Sequence, residues 1–141
     1  MRSVRDWAAE GAREREQCYG PLLAALSSLH PAAGRSGTKV LVPGAGLGRL
    51  AWEIAREGFD CEGNEFSLYM LFTRCVLLNT QFFDVKYCSN FILNKCQSIN
   101  CFGIHPYVHA MCNNVRREDQ LVSVAFPDTD PNLLPEQARY S

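Results

Sequence analysis

At 141 residues, with 47% hydrophobic and 21% charged side chains, the chain is long enough for one globular domain and too apolar for global disorder. Fourteen basic residues against fifteen acidic ones leave a formal charge of −1, which gives no electrostatic case for nucleic acid or for an anionic membrane surface. Apolar runs fall short of the roughly 18 residues of a membrane span, and MRSVRDWAAEGARERE lacks the apolar stretch of a secretion signal, so a cytoplasmic protein fits best, with the nucleus as a second location.

In chain order, residues 4–17 carry helix formers, with Trp7, Gly11 and Cys18 near helical spacing. Pro21 is expected to open a second helix, PLLAALSSLH, because a missing N–H matters little in a first turn. PAAGRSG at 31–37 reads as a loop. Thr38 to Val42 is a short apolar run closed by Pro43 and Gly44, which suits a buried strand. LGRLAWEIAREG places apolar residues at 47, 50, 51, 54 and 55, a helical stripe ended by Gly58. Phe59 to Asn64 is a second strand, so the order marks an α/β unit with parallel pairing. From Ser67 to about Asn100 the pattern is mostly helix-compatible, although 74–88 is richer in β-branched and aromatic residues. GIHPYVHAMCNNVRREDQ reads as turns and irregular structure, and LVSVAFPDTDP as a short extended run entering a Pro-rich loop.

The stretch with chemistry in it is VLVPGAGLGRLAWEIAREGFDCEGNE, residues 40–65. Gly44, Gly46 and Gly48 fall between a strand and a helix, where a side chain would block both the sharp turn and a ligand. The helix N-terminus behind them offers backbone N–H groups. Glu65, at the end of the next strand, is placed to accept both hydroxyl hydrogens of a ribose. A glycine triplet alone equally describes a tight turn; strand, helix and acid in this order strengthen the cofactor reading. The spacing is GxGxG rather than GxGxxG, which leans away from a pyrophosphate and favours S-adenosyl-L-methionine over NAD.

The same residues, VLVPGAGLGRLAWEIA with GNEFSLYML, closely resemble the carnosine N-methyltransferase family. VRDWAAEGAREREQCYGPLL upstream, and SNFILNKCQSIN, HPYVH, NNVRREDQL and FPDTDP downstream, resemble it in the same order. The resemblance implies an incomplete α/β fold, a Rossmann-like class I methyltransferase with N-terminal helices: a helical lead-in over 1–37 and the N-terminal part of the methyltransferase domain over 38–141. It implies methyl transfer from S-adenosyl-L-methionine to an imidazole nitrogen of carnosine or a related imidazole dipeptide, giving anserine from carnosine. Gly44 and Glu65 match cofactor-contacting positions of the family, and Gly46, Gly48 and Asn64 line the same loop and strand end.

Two departures from the family pattern stand out. Removing 74–88 would join MLFT to SNFILN in one helix, so this span looks inserted, as a retained intron or as a genuine loop or helix extension. The family's further cofactor contact after the third strand and its substrate residues are expected beyond Ser141, and another cofactor-contacting segment before Met1. The isolated chain is therefore expected to be inactive, and its catalytic base is not assigned. A non-catalytic binding fragment and a nucleotide-using enzyme of another kind, such as an NAD-dependent oxidoreductase, are the other two readings; oligomeric state is left open.

Other groupings read more plainly. The seven cysteines, odd in number and without a CxxC pair, suit reduced thiols rather than a disulfide framework. Cys101, His105, His109 and Cys112 suggest zinc by spacing, but Pro106 interrupts the helix that would align them, and no metal site is expected. Asp128 and Asp130 in FPDTDP resemble a carboxylate pair; turn chemistry beside proline is the favoured reading. Arg49 would either neutralise a cofactor carboxylate or form a surface salt bridge. Trp7 and Trp52 belong to helical apolar faces and are expected in the core, and Arg116 to Asp119 is expected to be a solvated charge run.

Overall fold

The computed structural model describes residues 2–78, 99–108, 116–131 and 133. Helix α1 (Arg2–Trp7) is followed by a 3-10 turn at Ala9–Gly11 and the long helix α2 (Ala12–Leu29). Gly11 fits this corner because a Cβ there would lie 2.3 Å from the carbonyl oxygen of Val4. Pro21 does not open a helix: α2 runs through it. The ring removes the N–H that would reach the Gln17 carbonyl, and both residues are exposed, so water can satisfy that carbonyl instead.

Strand β1 (Lys39–Pro43), helix α3 (Arg49–Arg56) and strand β2 (Asp60–Asn64) form the expected α/β unit. The strands pair in parallel, with Val40 opposite Cys61, Val42 opposite Gly63 and Pro43 opposite Asn64. Helix α4 (Leu68–Leu78) follows, so residues 74–78 of the suspected insertion continue a helix, and the rest of that span lies outside the described residues. Strands β3 (Phe102–Ile104) and β4 (Val124–Phe126) make a separate antiparallel pair. Of the extended run expected to start at Leu121, Val124–Phe126 is strand, whereas Leu121 ends a 3-10 turn; Phe102–Ile104, in a stretch read as helix end and irregular loop, is instead a strand. Three residues are too few to show a period, and β3 exists through its hydrogen bonds to β4.

Helix α3 divides its faces between two cores. Ala51, Ile54 and Ala55 pack with Val42, Phe59 and Cys61 under the parallel strands, where Leu23 and Leu26 of α2 close the edge. Trp52 turns the other way, joining Val4, Trp7, Leu47, Leu77, Val124 and Phe126. This second cluster ties α1 to the end of the described chain. Trp7 and Trp52 are both 0% exposed and meet edge to face with ring centroids 5.7 Å apart, as their helical positions led us to expect. Burial of each large side chain contributes about 1.5–3 kcal/mol.

Candidate functional site

The turn from β1 into α3 needs backbone that only glycine adopts without strain: Gly44, Gly46 and Gly48 have φ of +64°, +58° and +81°. Two side chains from the end of β2 hold this loop. The Gly44 N–H donates to Asn64 Oδ1 at 3.2 Å, and the Gly46 N–H donates to Glu65 Oε2 at 2.8 Å. Glu65 Oε1 accepts from the Ser67 N–H at 2.8 Å, so one carboxylate joins the loop to the start of α4. The five residues singled out by the sequence thus come together in space. Their arrangement differs from the expectation in one respect: the Gly44 and Gly46 amides are engaged by the protein's own Asn64 and Glu65. The acceptor capacity of this corner is greatest at the Glu65 carboxylate, whose two oxygens offer about four acceptor positions.

Gly63 shapes this corner without having stood out in the sequence. A Cβ there would stand 2.8 Å from the Cβ of Ala45 and 3.3 Å from Arg74 Nη1, so β2 reaches the loop only because position 63 is bare. Arg74 in turn donates from Nη1 to the Gly63 carbonyl at 3.0 Å. Cys61, one turn of the pleat away, is fully buried, and burial, with Asp60 adding to it, pushes its thiol up to about 11.

The far side of the loop is fixed by α1. The Trp7 indole N–H donates to the Leu47 carbonyl at 3.0 Å. Asp6 beside it accepts from Arg5 Nε at 2.7 Å and from the Tyr19 hydroxyl at 2.9 Å, both on Oδ1. Burial, reinforced by the negative charge of Asp6, raises the Tyr19 phenol to about 12, which keeps it a donor. The hydrogen bond to Asp6 also raises the Arg5 guanidinium.

Arg49 fits neither reading made from the sequence. It is 6% exposed, donates from Nη1 to Asp128 Oδ1 at 2.6 Å and from Nε to Glu53 at 2.8 Å, and lies against the Trp7 and Trp52 rings at 4.9 and 5.0 Å. Asp128 likewise exceeds a turn former: its other oxygen accepts from Arg15 Nη2. Arg15 also caps the end of α1, donating to the carbonyls of Arg5 and Ala8 at 2.7 Å each. The Asp128 N–H donates to the Trp7 carbonyl at 2.8 Å, and the Trp52 indole donates to the Pro131 carbonyl at 2.9 Å. FPDTDP is a clamp over α1 and α3.

The other groupings take ordinary places. His105 donates from Nδ1 to the Leu121 carbonyl at 3.0 Å; His109 and Cys112 lie outside the described residues. Among the described residues no three His, Cys, Asp or Glu side chains gather as a metal site, and no helix is long and apolar enough to cross a membrane. Arg116 to Asp119 lies at the surface, capping a 3-10 turn at Arg117–Leu121.

The sequence matches the model of a family described as carnosine N-methyltransferase over residues 1–140. It is 42% identical to the carnosine N-methyltransferase of Mus musculus over 140 residues, covering 98% of this chain and 31% of the mouse protein. Identity to the Schizosaccharomyces pombe carnosine N-methyltransferase is 45% over 131 residues, 92% of this chain and 31% of that protein. The Drosophila melanogaster protein named carnosine N-methyltransferase unmet is 43% identical over 139 residues, 97% of this chain and 27% of its own. The chain thus spans about three tenths of the length of these curated relatives.

Proposed function

This chain belongs to the carnosine N-methyltransferase family, and from that premise we propose that it supplies the cofactor-binding corner of an S-adenosyl-L-methionine-dependent N-methyltransferase acting on carnosine or a related imidazole dipeptide. In this reading residues 38–141 are the N-terminal part of a Rossmann-like methyltransferase domain, 1–37 are its helical lead-in, and 74–88 are an insertion. The observation that carries the proposal is Glu65, standing at the end of β2 with its carboxylate against the Gly46 amide.

The fit follows from the chemistry of the donor set. A methyl donor of this type has no phosphate, so a glycine loop whose amides are already engaged is no obstacle. Its vicinal ribose hydroxyls need a fixed acceptor, which Glu65 provides, held by the amides of Gly46 and Ser67 at 2.8 Å each. Gly44, Gly46 and Gly48 keep the loop free of side chains, and Asn64 fixes its first turn. Bound S-adenosyl-L-methionine would supply a methyl group on a sulfonium. That methyl group would pass to an imidazole nitrogen of the dipeptide, with the ring proton released to solvent; Glu65 would hold the donor's ribose meanwhile. The work of the residues described above is to hold the donor in line, where orientation supplies much of the rate.

The test is incubation of the purified protein with carnosine and S-adenosyl-L-methionine carrying an isotopically labelled methyl group. The isolated chain is expected to bind the labelled donor without transferring the methyl group; label on an imidazole nitrogen of carnosine is expected where the substrate residues are also present. Transfer to a different acceptor, with carnosine unlabelled, would overturn the substrate reading.

A further inference from the structure

Across the glycine loop from Glu65, a second acid faces the same corner. Asp6 on α1 is 1% exposed and fixed from several directions. Its carbonyl accepts from Arg49 Nη1 at 3.3 Å, and its neighbour Trp7 is bonded to Leu47 within the loop. Both hydrogen bonds that its carboxylate accepts from described residues fall on Oδ1. Oδ2 points elsewhere: it lies 3.9 Å from the place a Cβ on Gly46 would occupy. Gly46 therefore sits between two carboxylates, Glu65 at its amide and Asp6 at its bare face.

An oxygen of a buried carboxylate turned onto a ligand-binding loop is best satisfied by a hydrogen-bond donor, and a cationic donor gives the strongest match. Arg5 offsets part of the charge of Asp6 but is spent on Oδ1. A nucleoside carrying an amino-acid tail brings two kinds of donor, its ribose hydroxyls and its α-ammonium. Glu65 answers the hydroxyls. The sulfonium is charged but has no hydrogen to give, which leaves the α-ammonium for Asp6.

We propose that Asp6 is a cofactor-binding residue that accepts a hydrogen bond on Oδ2 from the α-ammonium of the methyl donor's amino-acid tail. The inference rests on the reading of residues 44–65 as the cofactor site. It gives α1 a direct role: Trp7 and Arg49 seat the helix so that its acid reaches the loop.

The test is calorimetric titration of the wild-type protein and Asp6→Asn with three ligands: S-adenosylhomocysteine, the analogue in which hydrogen replaces its amino group, and 5′-methylthioadenosine, which has no amino-acid tail. The wild type should bind the deaminated analogue at least about tenfold more weakly than S-adenosylhomocysteine, the scale of one charge-assisted hydrogen bond. Asp6→Asn should lose a similar factor for S-adenosylhomocysteine, little more for the deaminated analogue, and nothing for 5′-methylthioadenosine. Equal wild-type affinity for the first two ligands overturns the inference even where Asp6→Asn does not fold. An equal loss for 5′-methylthioadenosine also overturns it, by marking a merely structural role. A folded wild type that binds none of the three removes the cofactor reading, and this inference falls with it.

Discussion

The glycine loop and the Asp128 clamp both bear on α1 and α3, yet one announces itself in the sequence and the other does not. The loop is local: Gly44, Gly46, Gly48, Asn64 and Glu65 fall within a single strand–helix–strand unit, so spacing alone places them together. The clamp joins Arg15 to Asp128 across 113 residues. Neither residue type nor spacing distinguishes those two side chains from surface charges. Local geometry can be read from a pattern, whereas a buried ion pair depends on which distant faces meet.

Removing the clamp should produce the largest effect. Asp128→Ala leaves Arg15 and Arg49 facing one another with side chains only 9% and 7% exposed. Breaking a buried pair from one side costs about 3–5 kcal/mol. Retained bonds from Arg49 to Glu53 and from Arg15 to two carbonyls place the expected loss near the lower end, about 3 kcal/mol. Urea unfolding measures it; a loss under about 1 kcal/mol, the scale of an exposed pair, would show that the clamp is only a surface feature.

The site region carries its own signature, in pH. The Cys61 thiol rises from 9.0 to about 11 because burial disfavours its thiolate. The folded state therefore holds this proton where the unfolded chain releases it. Its stabilising contribution is complete below pH 9 and is lost as pH rises towards 11, by at most about 2–3 kcal/mol at about 1.4 kcal/mol per unit. Denaturant unfolding between pH 8 and 10.5 should show the decline, and Cys61→Ala should flatten its first part. An equal decline in the variant would assign it to other groups, Tyr19 first among them, since its phenol also rises, to about 12.

A smaller effect probes the seam between the two regions. Trp7→Phe keeps an aromatic ring against Trp52 but deletes the indole hydrogen bond to the Leu47 carbonyl. About 1–3 kcal/mol of stability should go with the stranded carbonyl. Amide exchange should speed up around Leu47 more than around Lys39 and Val40; uniform acceleration would mean that α1 does not act through the loop.

The outline of β1, α3 and β2 was legible because a short apolar run, a glycine turn and a helical stripe are local signals, although only Val42 of β1 is buried. It misplaced the second helix because Pro21 reads as a start, while an exposed surface lets α2 continue past it. Strand β3 was missed because Phe102–Ile104 has no pattern of its own without β4. Arg49 was read as a ligand contact or a surface charge because one letter does not reveal that two tryptophans and Asp128 surround it. Within the site, Glu65 was legible, but its partners were not: the Gly46 and Ser67 amides, and bare Gly63, appear only when β2 is set beside the loop.

The most direct measurement is calorimetric titration of the purified protein with S-adenosylhomocysteine, alongside Glu65→Ala. Saturable binding by the wild type, weakened at least about tenfold in the variant while its circular dichroism is unchanged, is the expected result. Undiminished affinity in Glu65→Ala, or no binding by a folded wild type, would contradict the placement of a cofactor site at residues 44–65.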